Sequence, residues 1–265
     1  MKKIIILIIF FCGFVGFSQE VYKVEYTYKD FSQSTKCTLY TNNKDALFKF
    51  YDDREMGILD LPDGDVTHVA NDELSKFYYT NDKFVFCRHI FNVYEILYFD
   101  NYKEKLKWTI KIDSKKKIGK YNCTEAKIKL NERNYTIWFT FDVPVKYGPM
   151  KFHSLPGMVV EVAEDTGFFT LTFNKISKTT KPKDFDFYKN YLLDTKKNVY
   201  DYKTYEKKTV DAVVANKIRL IESIKKSNLE GGNTTVDENL ADKNNVDMFV
   251  DIPKNLLLEL KKYHF

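Results

Sequence analysis

The sequence predicts an α+β fold: a large curved antiparallel β-sheet, half-barrel-like, with C-terminal helices packed on it. Three observations predict it. Apolar and aromatic residues alternate with polar ones through most of residues 20–176, the period-two pattern of strands with one wet face. No helical pattern interrupts that run, so the crossovers a parallel sheet needs are missing. After Ser177 the period changes to three and four, which places helices at the C-terminal end.

Taken in order, residues 1–18 stand apart as a signal peptide. Met1-Lys2-Lys3 is basic, Ile4 to Phe17 is almost wholly apolar, and Gly16-Phe17-Ser18 offers small residues around a cut before Gln19. Export follows, to the periplasm, the outer membrane or the outside, and no transmembrane span is expected after cleavage. Residues 19–265 then form one domain. Its first strand runs Glu20–Asp30, with Tyr22, Val24, Tyr26 and Tyr28 on one face. Further strands are expected at Cys37–Tyr40, Leu47–Tyr51, Lys76–Tyr79, Phe84–Cys87, Tyr94–Phe99, Tyr121–Leu130 and Met158–Ala163. Turn signals such as Asn42-Asn43, Pro62-Asp63-Gly64, Asn81-Asp82 and Asn131 separate them. The rows Leu106, Trp108, Ile110, Ile112, then Tyr135, Ile137, Phe139, Phe141, and Phe169, Leu171, Phe173 each mark one face of a strand. The helical part covers about 183–228: a short helix at Phe185–Leu193 and a longer one at Tyr205–Asn228, ended by Gly231-Gly232. Asn233 to Asn245 reads as a flexible loop, and Met248 to Phe265 as an edge segment or docking helix.

The composition supports this. Aromatic residues make up 16% of 265 residues, against 10 Gly and 6 Pro, which excludes a disordered or collagen-like chain. The formal charge is +5, too mild to suggest nucleic acid as a partner. With the leader and its Cys12 removed, Cys37, Cys87 and Cys123 remain. One disulfide with one thiol over is possible, and so are three buried thiols.

Signals for catalysis are sparse. Motifs for zinc proteases, dithiol redox, serine hydrolases and phosphate loops are absent, and His68, His89, His153 and His264 show no metal-ligand spacing. Cys87 and His89 share a strand face, and His153 precedes Ser154 directly; these two places are where a secreted hydrolase would have its site. In extended chain, neighbours such as His153 and Ser154 point apart. The acidic residues Asp52, Asp53, Glu55, Asp60, Asp63 and Asp65 lack calcium-loop spacing and read as a solvated loop. Lys115-Lys116-Lys117 reads as a turn kept in water, with a phosphate or membrane-surface contact as its alternative. The N-x-[ST] sequons at Asn122, Asn134 and Asn233 read as coincidental. No cofactor or metal is expected.

The most unusual stretch is Ile118 to Ala163. Two strands lead into a loop, Gly148-Pro149-Met150-Lys151-Phe152-His153-Ser154-Leu155-Pro156-Gly157, and then into the apolar strand from Met158. Two prolines and two glycines predict a rigid turn. Phe152 and Leu155 either tuck onto the sheet or form an exposed, ligand-facing lip. These residues resemble the GLPGLI family, exported Bacteroidetes proteins without an assigned biochemical role. Gly148, Pro149, Phe152, Leu155, Pro156 and Gly157 match its Gly-Pro-x-x-Phe and Leu-Pro-Gly elements. Ser154 stands where the name has its first glycine, and Met158-Val159 where it ends in Leu-Ile. A serine there puts in doubt that the first glycine is needed for a positive φ at that position. Trp108-Thr109-Ile110, Tyr121-x-Cys123 and Trp138 also look like family features. The resemblance implies an exported protein and carries no catalytic residues. The expected function is therefore a non-enzymatic module that binds an apolar ligand or an envelope protein, with Gly148, Pro149, Phe152, Leu155, Pro156 and Gly157 as the candidate binding residues. A structural partner of an outer-membrane protein is a further alternative.

Overall fold

The computed structural model describes residues 20–30, 34–50, 59–60, 66–67, 76–91, 94–101, 106–130, 133–167, 169–194 and 198–232. The expected leader at 1–18, the acidic cluster apart from Asp60, His68, His264 and the expected loop and tail beyond Gly232 lie outside these residues. So do the side chain of His89 and most of the apolar stripe on the long helix.

The strands are β1 (Val21–Asp30), β2 (Ser34–Thr41), β3 (Ala46–Phe50), the short β4 (Leu59–Asp60) and β5 (Val66–Thr67), β6 (Phe77–Thr80), β7 (Val85–Phe91), β8 (Tyr94–Asp100), β9 (Thr109–Ile118), β10 (Tyr121–Leu130), β11 (Arg133–Thr140), β12 (Met158–Glu164) and β13 (Phe169–Thr179). Helix α1 (Lys183–Leu193), strand β14 (Val199–Asp201) and helix α2 (Tyr202–Leu229) follow. Alternation does what it predicted on β1, where Val24, Tyr26 and Tyr28 are buried and Lys29 is exposed. Turn chemistry holds as well: Asn81 Oδ1 accepts from the backbone N–H groups of Lys83 and Phe84 (both 2.9 Å) and closes β6 onto β7.

Twelve strands join in one sheet, in the order β14-β8-β7-β6-β3-β2-β1-β13-β12-β11-β10-β9, while β4 and β5 pair with each other. Every described pairing is antiparallel except one. Strand β14 lies parallel to β8, with Val199 opposite Leu97 and Asp201 opposite Phe99, a departure from the purely antiparallel expectation. The chain returns to that edge after α1, and three residues are too few to announce a strand.

Chain connectivity forces the sheet to curl. Strand β9 follows β8 in sequence, yet the two lie ten strand spacings apart in the sheet. Laid flat, that is about 48 Å. The nine residue steps from Asp100 to Thr109 reach about 32 Å at full stretch. The far edges must therefore approach each other, which gives the half-barrel.

Two cores result, one on each side of the strands. On β3 and β6 successive residues point to opposite faces: Phe48 and Tyr78 enter the larger core, Leu47, Phe77 and Tyr79 the smaller. Helix α1 covers the smaller one with Phe185 and Leu192. The Arg88 guanidinium is buried there, 5.9 Å from the Phe77 ring and 5.3 Å from that of Tyr191. Helix α2 packs on the other face, where Tyr205 stacks on Tyr98 of β8 with centroids 3.9 Å apart. Asp201 caps α2 by accepting from the Thr204 N–H at 2.7 Å. Described side chains from Ile218 to Glu230 are exposed apart from Ile224, so the last third of α2 leaves the body.

The row from Leu106 to Ile112 departs from expectation. Leu106 and Trp108 are half-buried, but Ile110 and Ile112 are exposed, because β9 is the last strand of the sheet and no described residue covers that face.

Candidate functional site

The loop between β11 and β12, residues 141–157, is tightly constrained. A Cβ on Gly148 would lie 1.7 Å from the Phe152 carbonyl oxygen, and one on Gly157 2.0 Å from that of Thr140. Only glycine allows these backbone approaches. The loop also closes on itself: Ser154 N–H donates to the Lys146 carbonyl (2.8 Å), Phe152 N–H to that of Pro149 (3.0 Å) and Met158 N–H to that of Val143 (3.1 Å). The turn after β2 clamps it from outside. Asn43 Nδ2 donates to the Pro144 carbonyl (2.8 Å) and Asn43 Oδ1 accepts from Lys146 N–H (3.1 Å). The Tyr147 hydroxyl is shared between the Lys44 carbonyl and an Asp82 carboxylate oxygen, both at 2.8 Å, and Lys146 Nζ pairs with the same oxygen at 2.9 Å. Burial, with the Asp82 contact second, raises the Tyr147 pKa, so the phenol stays protonated.

Of the six candidate binding residues, only Pro156 is exposed. Phe152 and Leu155 are each 1% exposed; they form no lip. Phe152 packs edge-on to Tyr135 of β11 (5.1 Å between centroids) and near Phe169 of β13 (6.4 Å). Next to it, Lys151 places its ammonium 5.3 Å from the Tyr98 ring of β8 and 4.6 Å from that of Tyr202. Adjacent residues can touch β8 and β11 together only from inside the curl. The loop thus occupies part of the hollow that the aromatic strand faces were expected to offer a ligand. Trp108 locks it from the edge, donating through Nε1 to the His153 carbonyl at 3.0 Å.

Two expectations at 153–154 are overturned. Ser154 has φ 67°, so this position is left-handed although it carries a serine. That twist turns the side chain back, and Ser154 Oγ lies 2.8 Å from His153 Nδ1, where extended chain would have kept them apart. The pair is nonetheless poorly equipped for acyl transfer. His153 Nε2 is buried and has no hydrogen-bond partner among the described residues, so the third member of a catalytic triad has no counterpart among them. Burial first, and the charge of Lys146 second, lowers the imidazole pKa to about 4, a weak base near neutrality.

The other chemical candidates are closed off too. Cys37, Cys87 and Cys123 are buried and in no disulfide. Cys37 on β2 and Cys87 on β7 have β3 and β6 between them, about 14 Å at ordinary strand spacing, beyond disulfide reach. Burial raises the pKa of Cys37 and of Cys123, which keeps them as thiols. Among the described residues no cluster of His, Cys, Asp and Glu could hold a metal ion. The sequons Asn122 and Asn134 lie exposed on β10 and β11. No described helix is long and apolar enough to cross a membrane.

The family profile described as N-glycanase peptide, N-terminal domain, matches residues 72–207, just over half of the chain. None of the curated proteins matches it. Among solved structures, PNGF-II in a P21 crystal is similar at 17% identity and a TM-score of 0.48, covering 71% of this chain and 32% of that one. The complex of MucA and MucB from Pseudomonas aeruginosa is similar at 6% identity and a TM-score of 0.33, covering 63% and 55%. The chain spans about a third of the length of PNGF-II.

Proposed function

The chain belongs to the family of the N-glycanase peptide N-terminal domain, and from that premise we propose that it is a non-enzymatic binding module of an exported protein. One observation carries this reading: neither candidate nucleophile, Cys87 nor Ser154, is equipped to react. Cys87 is fully buried, and the His153–Ser154 pair lacks an orienting partner on Nε2. The matched region is, by its description, an N-terminal domain and not the whole glycanase. The resemblance of Gly148–Val159 to GLPGLI proteins, together with the basic-apolar segment at 1–18, supports export to the cell envelope.

In this reading the buried Phe152 and Leu155 hold the loop, and its exposed residues Lys146, Ser154 and Pro156 meet the partner. The test is a pull-down from envelope extract, with bound proteins and lipids identified by mass spectrometry. Wild type is expected to capture a defined partner that Lys146→Glu with Pro156→Arg does not; equal capture by both refutes the loop surface as the binding face. The 2.8 Å His153–Ser154 contact favours a second reading, a hydrolase. It requires turnover of an N-glycosylated peptide or an ester substrate that Ser154→Ala abolishes. The binding reading expects none, and such turnover would replace it.

A further inference from the structure

The β9–β10 hairpin carries the chain's excess charge. Thr109–Leu130 holds seven lysines against Asp113 and Glu125, a net +5, as large as the formal charge of the whole chain. All seven side chains are exposed. Glu125 holds Lys111 (3.1 Å) and Lys127 (3.6 Å), and Glu161 holds Lys116 (3.1 Å). Lys117 and Lys120, at the closed end, have no carboxylate partner among the described residues. The lysine run lies in the strand and not in the turn, which is formed by Gly119 and Lys120.

Lysines on a free edge discourage strand pairing, and that alone accounts for some of them. It does not account for the apolar side chains among them. Ile112 is 70% and Phe141 55% exposed, and Ile110 is also exposed. Ile112 sits at an irregularity of the edge, where Thr124 pairs with Lys115 but Glu125 with Lys111. That break interrupts β9 as a template for an added peptide strand. Lys115 connects the two apolar positions: it is three residues from Ile112 on β9, and its Nζ lies 6.0 Å from the Phe141 ring. Protruding apolar side chains set among lysines fit a surface that is anionic at its headgroups and apolar just below them.

We propose that the closed end of the β9–β10 hairpin, with Lys115, Lys117, Lys120, Ile112 and Phe141, docks on the surface of an anionic phospholipid bilayer. The lysines engage lipid phosphates, and Ile112 and Phe141 enter the headgroup layer. The site lies apart from the loop at 141–157 apart from Phe141, and it holds whether or not that loop binds a partner.

Vesicle co-sedimentation tests this. The probes are vesicles of phosphatidylglycerol with phosphatidylcholine, and of phosphatidylcholine alone, at low and high salt. The full chain and its variants share the apolar segment Ile4–Phe17, so the difference between them is the readout. Wild type is expected to prefer the phosphatidylglycerol vesicles and to lose that preference in high salt. Neutralising Lys115, Lys117 and Lys120 to Gln should weaken this binding about a hundredfold, from about fivefold per lysine near the surface. Ile112→Ser with Phe141→Ser should weaken it about tenfold, with the protein still folded at the assay temperature. Equal binding to both vesicles, or triple-Gln binding as tight as wild type, overturns the proposal. So does capture of polyglutamate, unaffected by the Ser variants, with no vesicle preference; that result would indicate an acidic protein partner.

Discussion

Position 154 offers a sharp test because its backbone and its side chain make opposite demands. At φ 67° a residue with a Cβ sits about 1–2 kcal/mol above glycine. The Ser154 hydroxyl lies 2.8 Å from His153 Nδ1, a hydrogen bond worth about 1 kcal/mol. Ser154→Gly relieves the first and loses the second, so the net change should be small. Ser154→Ala loses the second and keeps the strain. The gap between the two variants therefore isolates the backbone term. Glycine should exceed alanine by about 1–2 kcal/mol, opposite in sign to the preference for alanine of about 0.4–1 kcal/mol at ordinary φ. At this chain length that is about 2–4 °C per kcal/mol in melting temperature. Thermal and urea unfolding of the three proteins would measure it. An alanine variant as stable as the glycine variant refutes the left-handed assignment, and with it the account of how His153 and Ser154 meet.

Other outcomes follow from burial. The imidazole of His153 titrates at about 4 in the fold against an ordinary 6.5. Between these values the unfolded chain binds the extra proton and the folded one does not, so stability falls as pH drops from about 6.5 to about 4 and is flat below. The loss is about 3 kcal/mol from this group; urea midpoints across that range should show it, and His153→Gln should flatten the slope. The thiols at 37, 87 and 123, buried and in no disulfide, should resist a maleimide in the native protein and all react in denaturant, with no dependence on prior reduction; rapid native labelling of Cys87 would contradict its place in the core.

Much of the sheet was legible because one rule governed it. Tyr26, Tyr28, Tyr135, Ile137, Phe139, Phe169 and Leu171 alternate with polar residues and are buried. The same rule failed on β9: Ile110 and Ile112 alternate just as well, but alternation describes a face, and whether a second layer covers that face depends on where the strand lands in the sheet. Strand β14 was illegible for a related reason, since its three residues gain their pairing only once α1 has brought them beside β8. At the loop, the glycines and prolines announced rigidity, and the structure supplies the cause in the contacts of Gly148 and Gly157. The left-handed Ser154 was hidden because residue type states a preference, and the clamp from Lys146 and Trp108 overrides it. The charge on the β9–β10 hairpin was visible as a lysine run, but its company of Ile112 and Phe141 required the edge position to be known.

The short passage from Asp100 to Thr109 acts on the curled sheet as a string does on a bow. A bow cannot be straightened while its string holds, and here the string is about a third shorter than the straightened span. Breathing motions that would flatten the sheet and release the loop from its interior are thereby denied to the intact chain, whatever the strength of the individual strand pairings. A single proteolytic nick between residues 101 and 108 would remove that restraint without deleting one hydrogen bond of the twelve-stranded sheet. The shape of this molecule is to that extent a property of its covalent connectivity, stored in the short passage that joins β8 to β9.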